Sequence, residues 1–471
     1  MIEVRCLHSL SDAQPHRKAM NALNLASARP DPFSTFEFYA NHLRHAAPDS
    51  APAQLWLLLA FIENRLVGYL ALKRCRLRVL GLPAAKLELL TAFKADRPHL
   101  VVTSDAAEAV RTAIYAYLFG RSSEWSLLDF AQQDAASALL PLPAQATSGA
   151  YSCQQWPNVE TGRIAVQWDS STAYFAAMSG KFRSNVSRQM RTLLAAGNVQ
   201  LLTSSDRETL PPLFELYRNV EARSWKARTD VAFEGIGNRV GYYQELMEAD
   251  QPMQITIQVL LLDGVPIAGL ITGAFAQGLY ALHMVYDDRY GRLAPGSATM
   301  FMGMRLAIEG GYQFLDLLQG FGYYKSRWLA QMTTTQSFQI YRLGSLFYWR
   351  RLLGDAKRRW FSAAPVEEAR LSNPSRLAVT RTGPKDAIQS GSPVATSEER
   401  ARFAPVIARV KRGRGEFLSA QQLVEILPFA AMAGTEGSTI QHPTPKAPAN
   451  SRSRAGYYPS GTTPVPANAA D

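Results

Sequence analysis

Two distant stretches of this chain carry one pattern. "LLLAFIENRLVGYLALKR" (57–74) and "IQVLLLDGVPIAGLITGA" (257–274) are each an apolar run, a two-residue polar break and a second apolar run. The breaks are Glu63-Asn64 and Asp263-Gly264; Asp-Gly is a strong hairpin signal and Glu-Asn a weaker one. After each hairpin comes a helical pattern and then a strand. These are "DAAEAVRTAIYAYLFG" with "WSLLDFA" in the first copy and "GSATMFMGMRLAIEGG" with "YQFLDLLQG" in the second. A repeat of this kind constrains the architecture more tightly than composition does. It predicts an α/β fold with mixed sheets, built from two copies of one unit of about 160–190 residues each. The competing account is that any two hairpin–helix–strand runs look alike.

The boundaries that follow are 1–160 for the first unit, 161–361 for the second and 362–471 for a tail. The tail holds 12 of the 27 prolines and no tryptophan, so it is expected to be low-complexity and mostly disordered, with one short helix around "SAQQLVEILPFAAM". Between the copies, Tyr174, Phe175, Met178, Phe182, Val186, Met190, Leu193 and Leu194 recur at helical spacing. Lys plus Arg number 50 against 39 Asp plus Glu, a net charge of +11. That balance points to an anionic partner or to a plain basic surface. Three scattered cysteines offer no metal-ligand spacing, so no metal is expected, and their reduced form suits a reducing compartment. The N-terminus shows no signal-peptide pattern, and Glu63, Asn64 and Arg65 interrupt the most apolar stretch. A cytoplasmic location is the expectation.

The second copy carries the chemistry. The strand around "LYALHMVYDD" leads through "RYGRLAPG" into a helix. The unpaired amides of a first helical turn favour an anion, and Gly296, Ser297 and Ala298 are small enough to let one approach; Arg292 adds charge. Plain helix capping is the other reading. His283 is a general base or a core histidine. Asp316, inside an apolar run, needs a partner or a task, as base or amine anchor. Lys181 and Arg188 share a helical side and either meet a phosphate or face water. Trp225 lines an acceptor pocket or sits in the core. "LFYWRRLLGDAKRRWF" (346–361) lies on an anionic membrane surface or closes the fold as a terminal helix.

In order, "MSGKFRSNVSRQMRTLLAAG", "FELYRNVEARSW", "LDGVPIAGLITG", "MVYDDRYGRLAPGSA" and "FLDLLQGFGYYKSRW" resemble the GNAT-fold acyltransferases, in the group of CelD-like proteins of polysaccharide biosynthesis and the related Fem-type peptidyltransferases. The resemblance implies tandem GNAT-like domains, the first degenerate. It implies acyl-CoA as co-substrate, with phosphates at the turn of Arg292, Gly296, Ser297 and Ala298. The pantetheine arm would lie along the strand holding Met284 and Val285. It also implies that Tyr324 protonates the leaving thiolate, with Tyr323 beside it, and that Lys325 stabilises negative charge. Leu293 departs from the family pattern, which has a basic or amide residue there.

The implied activity is acyl-CoA-dependent N-acyl transfer to a sugar, nucleotide-sugar or other small polar acceptor, in cell-surface polysaccharide synthesis. Two alternatives stand beside it. One is a Fem-like aminoacyltransferase using aminoacyl-tRNA, the one reading that gives the chain a nucleic-acid partner. The other is a non-catalytic scaffold of a polysaccharide assembly. The basic aromatic helix would set the protein at the periphery of the inner membrane.

Overall fold

The computed structural model describes residues 2–45, 54–91, 96–229, 232–235, 237–248, 250–320, 322–361, 395–419 and 421–423, with the side chains of 356–361 excepted. The first lobe contains β1 (Glu3–Leu7), α1 (Leu10–Ala13), α2 (Arg17–Ala26), α3 (Phe36–His45), β2 (Gln54–Ile62), β3 (Arg65–Val79), β4 (Leu82–Leu89), β5 (Val101–Val102), α4 (Ala107–Gly120), β6 (Leu127–Gln133) and β7 (Tyr151–Ala165). The second contains α5 (Ser171–Ala177), α6 (Gly180–Ala195), β8 (Val199–Ser204), α7 (Leu210–Glu221), α8 (Arg239–Leu246), β9 (Gln254–Leu262), β10 (Val265–Phe275), β11 (Gly278–Tyr286), α9 (Pro295–Glu309), β12 (Phe314–Gln319), α10 (Gly322–Arg327) and β13 (Gln331–Arg342). Then come α11 (Leu346–Phe361), α12 (Ser397–Arg412) and β14 (Glu416–Leu418).

The repeat is real in three dimensions. β2–β3 and β9–β10 are antiparallel hairpins. Their turns, Glu63-Asn64 and Asp263-Gly264, have positive φ at both positions, as two-residue turns matched to strand twist require. Each hairpin continues into a third strand, then a helix, then a strand that returns parallel to the third: β4 with β6, and β11 with β12. The strands are apolar on both faces because both faces are covered. Leu58, Leu70 and Leu72 join one core and Leu57, Leu59 and Tyr69 the opposite one, as side-chain alternation dictates.

All fourteen strands form one sheet. Its order is β1-β2-β3-β4-β6-β13-β7-β12-β11-β10-β9-β8-β14, with β5 added to β3. Each lobe gives its last strand to the other: β7 pairs with β12 of the second lobe, β13 returns to β6 of the first, and the two pair with each other. The boundary expected between residues 160 and 161 falls inside β7.

Two stretches depart from the sequence reading. The helical run from Thr172 is two helices, because Met178 adopts an extended conformation between them. Part of the expected disordered tail is folded: α12 packs on α7 with Phe403, Ile407 and Val410 buried, and β14 pairs with β8. Of the short helix expected at 419–432, residues 420 and 424–432 lie outside the described residues. No helix among the described residues is long and apolar enough to cross a membrane.

Candidate active site

The pairing of β11 with β12 is brief. Gly278, Leu279 and Tyr280 oppose Phe314, Leu315 and Asp316, and there the ladder ends. Past Asp316, β12 bulges away: Leu318 sits at φ +56° and the register with β7 skips to Gln319. The strands therefore diverge toward their C-terminal ends. The gap is a cavity of about 160 Å³ walled by Ala281–Met284 of β11, Leu317–Gln319 of β12, and Tyr324 and Lys325 of α10. Met300 of α9 and Lys226 also line it.

The bulge orients Lys325. Its Nζ donates to the carbonyl of Leu317 at 2.9 Å and to that of Leu318. An ammonium has three donors, so one remains for the cavity. The residue is 8 % exposed. Burial pushes its amine down to about 8, while Asp96 and Asp316 pull it back up. Tyr324 stands one residue before it, and desolvation pushes its phenol up to about 12. The hydroxyl is thus protonated at neutral pH, as a proton donor must be.

His283 faces the same cavity from β11, with its ring packed against Tyr217, Phe233 and Tyr243. Tyr217 Oη lies 2.9 Å from both the His283 carbonyl and Nδ1. A phenol has one proton. Once that proton is donated to the carbonyl, Nδ1 must donate to Oη, and Nε2 becomes the basic nitrogen.

Asp316, expected to have a partner or a task, has partners. It is fully buried, and its Oδ2 accepts from Arg97 at 2.6 Å and from Arg163 at 3.0 and 3.1 Å. Its Oδ1 accepts from the Leu318 amide at 2.9 Å. Against the cost of burial, Arg97 and Arg163 hold its carboxyl below the usual range. A carboxylate so satisfied is a poor base. It pins the bulge and ties the first lobe to the second, since Arg97 lies between β4 and β5.

On the other side of this ion cluster is a cavity of about 440 Å³, walled by Arg29, Asp31, Asp96, Arg97, Arg163 and Phe314 among others. Asp96 is 1 % exposed, and neither of its oxygens accepts a hydrogen bond. Its nearest cation, Arg97, is 3.4 Å away, and burial pushes its carboxyl up to about 6.

α9 begins where the sequence placed it, after Ala294 in a left-handed conformation at φ +50°. Pro295 has no amide. The Ser297 amide donates to Ala294 at 2.9 Å and its hydroxyl to Gln189 at 3.2 Å. Of residues 295–297, only Gly296 keeps an amide for an anion. A β-carbon there would meet nothing closer than Tyr286 at 3.4 Å, so the approach is open. Arg292 is exposed beside the turn, Leu293 is buried in the core and Ala298 is buried at the helix start.

Four expected substrate contacts lie outside the cavity wall. Trp225 is 43 % exposed, and its neighbour Lys226 lines the cavity instead. Lys181 and Arg188 face solvent on α6, whose buried side holds Phe182, Val186, Met190 and Leu193. Tyr323 is 80 % exposed beside Arg327. Met284 lines the cavity, whereas the Val285 side chain joins the core on the α7 face. Sequence reasoning missed Arg97, Arg163 and Asp96. The polar cluster "DRPH" ahead of the apolar β5 region is the one local sign of the first and third.

Compared with solved structures, the chain is similar to FemX at 12 % identity, over 74 % of this chain and 99 % of that one, with a TM-score of 0.49. It is also similar to the C-terminal domain of a putative lysylphosphatidylglycerol synthetase from Agrobacterium fabrum (12 %, 74 % and 97 %, TM-score 0.44). A tandem GNAT protein from the clavulanic acid biosynthesis pathway is similar as well (13 %, 73 % and 99 %, TM-score 0.42). No curated protein matches it significantly. Residues 180–326, from the start of α6 to Ser326 just past Tyr324 and Lys325, match the model of the acetyltransferase (GNAT) domain family, a segment that holds the diverging strands.

Proposed function

We propose that the protein transfers an acyl group from an acyl-CoA thioester to an amine of a small polar acceptor. A sugar or nucleotide-sugar used in cell-surface polysaccharide synthesis is the acceptor class favoured. The observation that carries the reading is the parting of β11 and β12 beyond Tyr280 and Asp316, with Tyr324 and Lys325 closing the gap. It lies in the segment that matches the acetyltransferase family. The unpaired edge of β11 would take the pantetheine arm, and the Gly296 amide with Arg292 would meet the phosphates. The acceptor nitrogen attacks the thioester carbonyl and gives its proton to His283 Nε2. Lys325 steadies the oxyanion with its third donor. The C–S bond then breaks, and Tyr324 hands its proton to the sulfur. The charged wall of the 440 Å³ cavity supports a polar acceptor over an apolar one.

The test is calorimetric titration of the full chain with acetyl-CoA, longer acyl-CoAs, desulfo-CoA and aminoacyl-tRNA. Saturable binding of an acyl-CoA, followed by thiol release when an amino sugar is added, is expected. Binding of tRNA with no affinity for acyl-CoA would replace this reading with an aminoacyl-tRNA-dependent one.

A further inference from the structure

The β3–β4 hairpin ends in a turn made of Leu80 and Gly81, both at positive φ (+53° and +79°), between the paired Val79 and Leu82. Two-residue turns of this shape normally carry Asn, Asp or Gly at the first position. A leucine there is strained, and it is also 54 % exposed. Neither folding nor solubility favours that choice. Leu77 and Leu82 flank it at 37 % and 56 % exposure.

Helix α11 lies against this hairpin. Phe347 is buried with Val79, Ala84, Leu127 and Tyr341, while Trp349 and Leu353 stay 51 % and 57 % exposed. Leu77, Val79, Leu82 and Ala84 share one ribbon face, because Val79 opposes Leu82 and Leu77 opposes Ala84. The exposed leucines thus border the helix that packs on that face. Five of the eleven large apolar side chains exposed among the described residues gather here. Arg76 and Arg78 are exposed on the other ribbon face, and Arg350 follows Trp349. The acidic side chain of α11 among the described residues, Asp355, is 31 % exposed and pairs with Arg351 at 3.6 Å.

We infer that the β3–β4 tip and α11 form a docking surface for an anionic lipid bilayer. Leucines and a tryptophan would enter the interface, and arginines would meet the headgroups. An apolar patch ringed by basic groups suits that surface, since apolar burial and attraction to anionic headgroups add. The site is on the lobe opposite the diverging strands, so the inference does not rest on the acyltransferase reading.

Co-sedimentation of the full chain with phosphatidylcholine vesicles, with and without phosphatidylglycerol, tests it. Binding is expected only to the anionic vesicles, weakened by salt. Leu80→Glu with Leu82→Glu, and separately Trp349→Glu, should each lower it at least about tenfold. Circular dichroism is the folding control, and Leu25→Glu, an exposed leucine elsewhere, is the control for added charge. No binding to anionic vesicles at low salt would overturn the proposal, as would binding that the three glutamates leave unchanged. If light scattering shows self-association that the same variants abolish, while vesicles are ignored, the face belongs to a second copy of the chain.

Discussion

Lys325 is pulled two ways, and the two pulls have opposite signs with pH. Its folded pKa of about 8 lies below that of a free lysine. Between those values the unfolded chain binds more protons, so this group's contribution to stability rises with pH. Its proposed role needs the charged form, so turnover should fall as pH rises through about 8, while the Tyr324 phenol stays protonated. A pH–rate profile with parallel melting curves separates loss of charge from unfolding. Lys325→Met should remove that alkaline limb and lower turnover more than acyl-CoA affinity, by about 2.7–4 kcal/mol in the strong case. Tyr324→Phe keeps the ring and should slow turnover about 10²- to 10⁴-fold with affinity nearly unchanged. Near-normal rates in both variants, normalised to folded fraction, would leave the cavity without its chemistry. That Tyr324 and Lys325 come just after a strand was legible, and the structure sets both on the cavity wall. The role of Asp316 was not: its partner Arg97 lies 219 residues away, and no local pattern announces a contact of that span.

At the scale of single elements, α9 and α12 make separate claims. Gly296→Val puts a branched side chain where, in the proposed function, the one spare amide of residues 295–297 meets phosphate. Calorimetry should show lost acyl-CoA affinity with circular dichroism unchanged, since the first added carbon meets only ordinary contacts. Intact affinity would remove the turn from the binding site. α12 carries the opposite lesson for reading sequence. Its Pro-rich surroundings hid a capping box at Thr396 and Glu399, and apolar spacing at Phe403, Ile407 and Val410. Pro405 inside the helix further obscured the pattern. Each of those side chains is buried, and Glu399 pairs with Arg289 at 2.9 Å beside the turn that leads to α9. Truncation after residue 394 should therefore lower Tm by about 5 °C or more. An unchanged melting curve would show that the packing contributes nothing.

Across the whole molecule, the repeat predicted the architecture and left out how its halves are joined. Hairpin turns, helix order and the parallel return strands all follow from local pattern, because each is set by neighbours in sequence. The exchange of β7 and β13 is set by edge pairing, which the alternation of a single strand does not encode. Asp316, Arg97 and Arg163 cross the same junction, so the β12 bulge depends on both lobes. A further consequence concerns how the chain is made. Gln132 and Ser337, partners across β6 and β13, are 205 residues apart. While the ribosome works through that interval, β6 has a bare edge, the kind of edge that recruits other nascent chains. The protein should accordingly draw on chaperones during synthesis far more than during refolding from full length. A gene cut between the lobes should yield two insoluble halves that become soluble only when both are translated in the same cell.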